Sequence, residues 1–206
     1  MVDYNQLTDS DGERLVKMAR AVVLEFLKNK NKMNLDSEFK ESFSANAGVF
    51  VTLNHQSNLR GCIGYALPDK KLYNALEDAA IAAATEDPRF PPVTLEELDQ
   101  ITFEVTVLTP PQEIGVTDPS EYPSKIKVGR DGLIVKSEFN SGLLLPQVPT
   151  EYGWNEEEFL GHTCEKAGLE KDHWKKKEAK ILKFEGIVFK EKSPDGSVVH
   201  EKLNTT

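Results

Sequence analysis

Residues 48–65 constrain the fold more than any other stretch. Val49, Val51 and Leu53 alternate with Phe50 and Thr52, and the polar residues 54–58 then turn the chain into a second extended run, Leu59-Arg60-Gly61-Cys62-Ile63-Gly64. Alternation of this kind is the signature of a strand with one buried face, and two such runs around a short polar turn predict an antiparallel hairpin. A clean repeat follows at Ile101–Leu108, where Ile101, Phe103, Val105 and Val107 alternate with Thr102, Glu104 and Thr106. Asp131-Gly132, between Ile126–Val128 and Leu133–Val135, predicts a two-residue hairpin turn. Residues 140–142 predict another turn, into Leu143–Leu145, and Ile181–Phe189 reads as a last strand.

Helical spacing governs other segments. Leu15, Met18, Ala19, Val22, Val23, Phe26 and Leu27 form one stripe behind a capping-box pair, Ser10 and Glu13. Pro68 predicts the start of a helix with a packed face of Leu72, Leu76, Ala79, Ala80 and Ala83. Thr94 and Glu97 have capping-box spacing for a short helix. Asn155 caps a helix whose first turn is three glutamates and which Gly168 ends. A marginal hairpin is expected around Pro194-Asp195-Gly196 in the charged tail. Strands and helices are mixed and hairpins favour antiparallel pairing, so the expected class is α+β, with a mixed, largely antiparallel sheet and flanking helices.

The chain is 206 residues long, enough for one large domain or two small lobes. With 34 acidic and 25 basic side chains it carries a net charge of −9, which argues against general nucleic-acid binding because phosphate contacts need a basic footprint. Cys62 and Cys164 match no zinc spacing, and no P-loop or dinucleotide glycine fingerprint is present, so no metal and no cofactor are expected. No apolar run approaches a membrane span, and residues 1–11 lack a signal-peptide pattern. A cytoplasmic location with reduced thiols is the expectation.

The chemistry-bearing candidates begin with Cys62. A strand places Arg60 and Cys62 on one face, roughly 6.5–7 Å apart, close enough for the guanidinium to lower the pKa of the thiol. The alternative is a small buried hydrophobe, which is how most free cysteines behave. Arg60 either serves that thiol or an anion, or bridges to a carboxylate. Gly61 and Gly64 suggest a bulge or a surface that something approaches closely. Asp87-Pro88-Arg89-Phe90 sets opposite charges on a proline-stiffened loop, either as an ion pair or as a ligand clamp. Glu104 faces away from Phe103 and Val105, as plain surface, general base or partner of Arg60. Gln147 offers a neutral donor and acceptor, and Trp154 is a lid or a cover for the helix start. His162 and Cys164 lie roughly 160° apart on a helix; Cys164 is expected to pack and His162 to face solvent.

Leu59 to Gly64 resembles the signature of the AMME chromosomal-region protein family. So, in order, do residues 86–91, Glu104, Leu144-Leu145-Pro146-Gln147-Val148, Trp154, Phe159-Leu160 and residues 164–169. The resemblance implies a single domain over residues 13–190, with terminal extensions 1–12 and 191–206, built as two lobes around a cleft lined by the hexapeptide strand. It implies Cys62, Arg60 and Glu104 as catalytic candidates, and Gly61, Gly64, Asp87, Arg89, Phe90, Gln147 and Trp154 as substrate-binding ones. It also implies Memo-like and radical-SAM proteins as partners. Three functions follow as expectations. The first is an enzyme acting on a small molecule or an extruded nucleotide with a Cys62 thiol. The second is a non-catalytic ligand-binding or adaptor module for those partners. The third is an interaction protein in which the hexapeptide only packs.

Overall fold

A computed structural model describes Tyr4 and residues 7–137 and 140–201. In chain order the elements are α1 (Asp9–Asn29), α2 (Ser37–Ser42), β1 (Gly48–His55), β2 (Asn58–Tyr65), α3 (Leu72–Thr85), β3 (Ile101–Leu108), β4 (Gln112–Glu113), β5 (Asp131–Lys136), β6 (Ser141–Leu144), α4 (Gln147–Tyr152), α5 (Glu156–Lys166), β7 (Lys180–Glu191) and β8 (Val198–Glu201). The fold class is α+β, with antiparallel strand pairing and flanking helices. The chain divides into two compact units: the described residues through Pro110 with residues 187–201, and residues 111–186.

In the first unit the strands run in the order β2-β1-β3-β7, and β8 pairs with the end of β7. Val49, Val51, Leu53, Ile101, Phe103, Val105, Val107 and Phe189 turn one sheet face into a core against α1 and α3. The cap of α1 is Thr8, not Ser10: Asp11 Oδ2 accepts from the Thr8 amide at 3.0 Å and from its hydroxyl, and the Asp11 amide returns a bond to Thr8 Oγ1. Both sites fit the spacing rule; with the helix beginning at Asp9, Ser10 lies inside it and Glu13 pairs with Lys17 one turn on. Helix α3 starts at Leu72 and not at Pro68. Helix α2, capped by Asp36, was not foreseen.

Arg20 is a charge in the middle of the buried stripe of α1. Its Nε donates to Glu191 Oε1 at 2.7 Å and its Nη2 to Glu191 Oε2 at 2.5 Å, while Nη1 and Nη2 also bond the carbonyls of Leu98 and Ile101. The Phe103 amide donates to the same Glu191 carboxylate, whose side chain is 1% exposed. The guanidinium also lies 4.6 Å from the Phe103 ring.

In the second unit β4 and β5 flank β7, and β6 pairs with β5. Leu133, Val135, Ile181, Phe159, Leu160 and Cys164 fill its core. The Asp131-Gly132 turn does not form. Both residues open β5, with Asp131 opposite Glu185 and fully buried, and Ile126–Val128 is not a strand. The turn propensity yields because the Asp131 carboxylate finds partners in place: the Lys127 amide at 2.9 Å and the Arg130 guanidinium at 2.6 and 2.9 Å. The turn read at residues 140–142 also gives way to strand, since β6 already begins at Ser141; its neighbours 138 and 139 lie outside the described residues. Helix α4 was not foreseen either. Asn155 does cap α5, in a full box with Glu158, and Gly168 follows its end with φ +71°. The tail hairpin forms as Glu191↔Val198 through Val188↔Glu201, with residues 202–206 outside the described ones.

Breaking the Arg20–Glu191 pair from one side leaves a buried charge without its partner. Arg20→Met is expected to cost about 3–5 kcal/mol. In chemical denaturation, the double variant with Glu191→Leu should lose less than the sum of the two single losses.

Candidate functional site

Strand β2 is the edge of the first unit's sheet, and its hexapeptide is held from three directions. A Cβ on Gly61 would sit 2.1 Å from the Ala83 carbonyl oxygen, so only glycine lets α3 pack this closely. The close approach expected at Gly61 is therefore made by a helix, and Gly61 is buried rather than open to a substrate. Gly64 lies opposite Phe50, whose ring would be 2.4 Å from an added Cβ. Neither glycine faces a free binding surface.

The expected pairing of Arg60 with Cys62 is corrected by the backbone. Leu53 pairs with Gly61 and Asn54 with Leu59, so Arg60 is the extra residue of a β-bulge, and a bulge re-aims a side chain. Its guanidinium forks onto Glu97, with Nε at 3.2 Å and Nη2 at 3.1 Å, and Nη1 donates to the Pro91 carbonyl. Glu97 also accepts from the Thr94 amide at 2.8 Å, so its carboxylate closes the expected capping box and neutralises Arg60 together. Arg60 is a structural clamp, and it is not the cation beside the thiol.

That cation is Arg89. The Asp87 carboxylate, 2% exposed, accepts from the Cys62 amide at 2.8 Å and from three Arg89 nitrogens at 2.7 to 3.1 Å, while Arg89 Nη2 donates to the Cys62 carbonyl at 3.3 Å. The pair thus fills the outward amide and carbonyl of Cys62 as a neighbouring strand would, which closes an edge otherwise open to pairing. The Arg89 guanidinium holds the Asp87 carboxyl well below the usual carboxylate range. The Phe90 ring is near both guanidiniums, 5.9 Å from Arg60 and 5.6 Å from Arg89.

Burial pushes the half-buried Cys62 thiol above its ordinary value. The Thr52 hydroxyl, 3.3 Å from Sγ, and the Arg89 charge draw it back only in part, and Glu104 and Asp87 oppose them. This overturns the expectation of an arginine-lowered thiol. Cys164 is fully buried as expected, its thiol pushed up to about 11. His162 corrects its expectation: its ring is half-buried and stacks on Trp154 at 3.9 Å.

Thr52 pairs with Cys62 on one side and with Glu104 on the other, so the three form a row across the non-core face. Adjacent strands lie about 4.8 Å apart, which puts Glu104 roughly 10 Å from Cys62, beyond direct proton transfer. Glu104 instead floors a groove of about 780 Å³ with Asn54, Thr102, Lys190, Lys192 and Ser193. Burial pushes its carboxyl above the usual range; Glu201 adds to the shift and Lys190 opposes it. Lys190 is itself bound to Glu201. Cys62 does not line the groove. Gln147, exposed at the start of α4, and Trp154 belong to the second unit. Among the described residues no group of three or more His, Cys, Asp or Glu side chains could hold a metal, and no helix is long and apolar enough to cross a membrane. Arg20, Glu191 and the Glu97 partner of Arg60 escaped sequence reasoning. The one local signal was a charge inside the apolar stripe of α1.

The AMMECR1 family model matches residues 16–189, and the chain belongs to that family. It is 52% identical over 199 residues to protein MJ0810 of Methanocaldococcus jannaschii, covering 96% of this chain and 98% of that protein. It is 50% identical over 188 residues to a protein of Methanothermobacter thermautotrophicus, covering 91% and 98%. The crystal structure of uncharacterized protein PH0010 from Pyrococcus horikoshii superposes with a TM-score of 0.81 at 48% identity, covering 96% of this chain and 99% of that one.

Two outcomes test this geometry. In native protein Cys62 should alkylate faster than buried Cys164, yet with an apparent pKa above the roughly 8.5 of a free thiol; a rate-versus-pH profile on each single-cysteine variant reads both. Asp87 contributes stability above its unfolded pKa of about 3.9, and that contribution is lost as pH falls below it. Asp87→Asn should therefore cost about 1–3 kcal/mol near neutral pH, with the gap to the parent protein shrinking in denaturant melts below about pH 4.

Proposed function

We propose that this chain is a ligand-binding module, and that its first unit takes a small polar molecule in the groove floored by Glu104. One observation carries the reading. Glu104 is a desolvated carboxyl on the floor of a roomy polar groove, and no described residue donates a hydrogen bond to it. A carboxyl in that condition gains from any ligand that brings an N–H or O–H donor, above all a cationic one. Asn54, Thr102 and Ser193 add neutral donors and acceptors around it. The acidic balance of the chain, −9, favours attraction of cations over anions.

Thiol catalysis fits the same geometry less well. A nucleophilic cysteine needs a lowered pKa or an adjacent base. Burial raises the Cys62 thiol, Arg60 is committed to Glu97, and the His55 ring bonds Gln100 at 3.1 Å. Cys62 and the Asp87–Arg89 clamp are therefore assigned to the integrity of the edge strand beside the groove.

The test is a screen of small amines, amides and polyols by NMR shift perturbation on the intact chain, with native mass spectrometry to identify co-purified ligands. Hits should perturb Asn54, Thr102 and Lys190, and Glu104→Gln should weaken them about tenfold or more. For amine hits, affinity should fall as pH drops through the raised pKa of Glu104, because protonation removes the charge that the ammonium meets; Glu104→Gln should flatten that profile. Hits that map to Cys62 and survive Glu104→Gln would return the thiol to the centre of the function.

A further inference from the structure

In the second unit three aromatic rings stand in a column. Tyr152 stacks on Trp154 with centroids 4.9 Å apart and planes 16° from parallel, and Trp154 stacks on His162 at 3.9 Å and 20°. The column is anchored from below. Trp154 packs on the core of this unit, and His162 Nδ1 is 2.7 Å from Glu165 on the same helix. Its upper end is open, since Tyr152 is 68% exposed. Gly153, with φ +68°, makes the turn between α4 and α5 that brings Tyr152 over Trp154, a conformation that strains other residues.

The segment that carries the column is acidic in sequence. From residue 137 to residue 165 the chain carries no lysine or arginine, whereas Glu151 adjoins Tyr152 and Glu156, Glu157 and Glu158 follow Trp154 in the first turn of α5. Glu158 is committed to capping Asn155, but Glu151 and Glu156 make no hydrogen bond or ion pair with a described side chain. An open electron-rich ring face with two unpaired carboxylates, Glu151 and Glu156, within four residues of it in sequence favours a flat cation over a phosphate.

We infer that the Tyr152–Trp154–His162 column is a docking platform for an arginine-bearing peptide segment of a partner protein. The guanidinium stacks on the exposed face of Tyr152, with Glu151 and Glu156 supplying acceptors for its N–H groups. Arginine fits better than lysine because its planar group can stack and donate at once, whereas an ammonium is a compact, strongly hydrated charge. The site lies apart in sequence from the Glu104 groove and does not rest on that reading.

The experiment titrates the full chain with a short capped glycine–arginine peptide and follows the Trp154 indole N–H by NMR, assigned with Trp154→Phe. The arginine peptide should shift this signal, its lysine counterpart should bind several-fold more weakly, and raising salt from about 50 to 300 mM should weaken both as the surface charges are screened. Tyr152→Ala, an exposed substitution, should weaken binding about fivefold or more. Glu151→Gln with Glu156→Gln should remove most of the salt dependence while the ring stack persists. An unshifted Trp154 signal, equal binding by a glutamate peptide, or unchanged affinity in Tyr152→Ala would overturn the proposal. A stronger response to adenosine monophosphate than to the arginine peptide would also overturn it, in favour of a nucleobase platform.

Discussion

The first unit is organised around one buried ion pair. Arg20 of α1 and Glu191 of β7 meet 171 positions apart in sequence, and four hydrogen bonds from the guanidinium are shared between that carboxylate and the carbonyls of Leu98 and Ile101. The Phe103 amide completes the carboxylate. Because side chains alternate along a strand, holding Glu191 and Phe103 on the core side sends their neighbours Lys190 and Glu104 to the opposite face. The pair that looks like a core feature thus sets the floor of the groove. Its value lies in register: an apolar pair of the same volume would fill the space but leave those backbone groups without partners.

In the edge strand, most of the charged groups that the sequence marks out are bonded to one another or to the backbone. Gly61 admits the backbone of α3, the bulge at Arg60 hands its guanidinium to Glu97, and Asp87 with Arg89 occupies the outward groups of Cys62. Each is a way of ending a sheet without leaving an edge for another chain. The thiol is held above its ordinary pKa in this setting. It sits among groups already satisfied by one another, and desolvation outweighs the one nearby positive charge.

Two places with unsatisfied capacity among the described residues lie elsewhere. One is the carboxyl of Glu104, with Thr52 between it and Cys62 on the sheet face, and the other is the open ring of Tyr152 above Trp154. Both carry a carboxylate, Glu104 itself in one and Glu151 next to Tyr152 in sequence in the other, and both are held on rigid supports, a strand in one case and a capped helix in the other. A binding role follows more naturally from them than a covalent one, since recognition needs preorganised but unpaired groups.

Local patterns settled a good part of the fold. Strand β3 spans the stretch where apolar and polar residues alternate, Ile101–Leu108, and the Gly48–Tyr65 hairpin and the Asn155 cap formed as read, because period and capping chemistry act over a few residues. The sequence also marked Cys62, Asp87, Arg89 and Glu104 as worth locating, since each is a charged or reactive group on a strand face or stiff loop. Partner choice was another matter. Thirty-four carboxylates compete for the cations, and only folding brings Glu97 to Arg60, Glu191 to Arg20 and Arg89 to the backbone of Cys62. Asp131-Gly132 became strand for the same reason: its turn propensity is worth less than a buried carboxylate with three donors in place. Sequence alone determined the longer strands and helices and most of the side chains that carried chemical capacity. Tertiary structure decided which of those capacities were spent on one another, because a charge is neutralised by whatever packing sets beside it, at any distance along the chain.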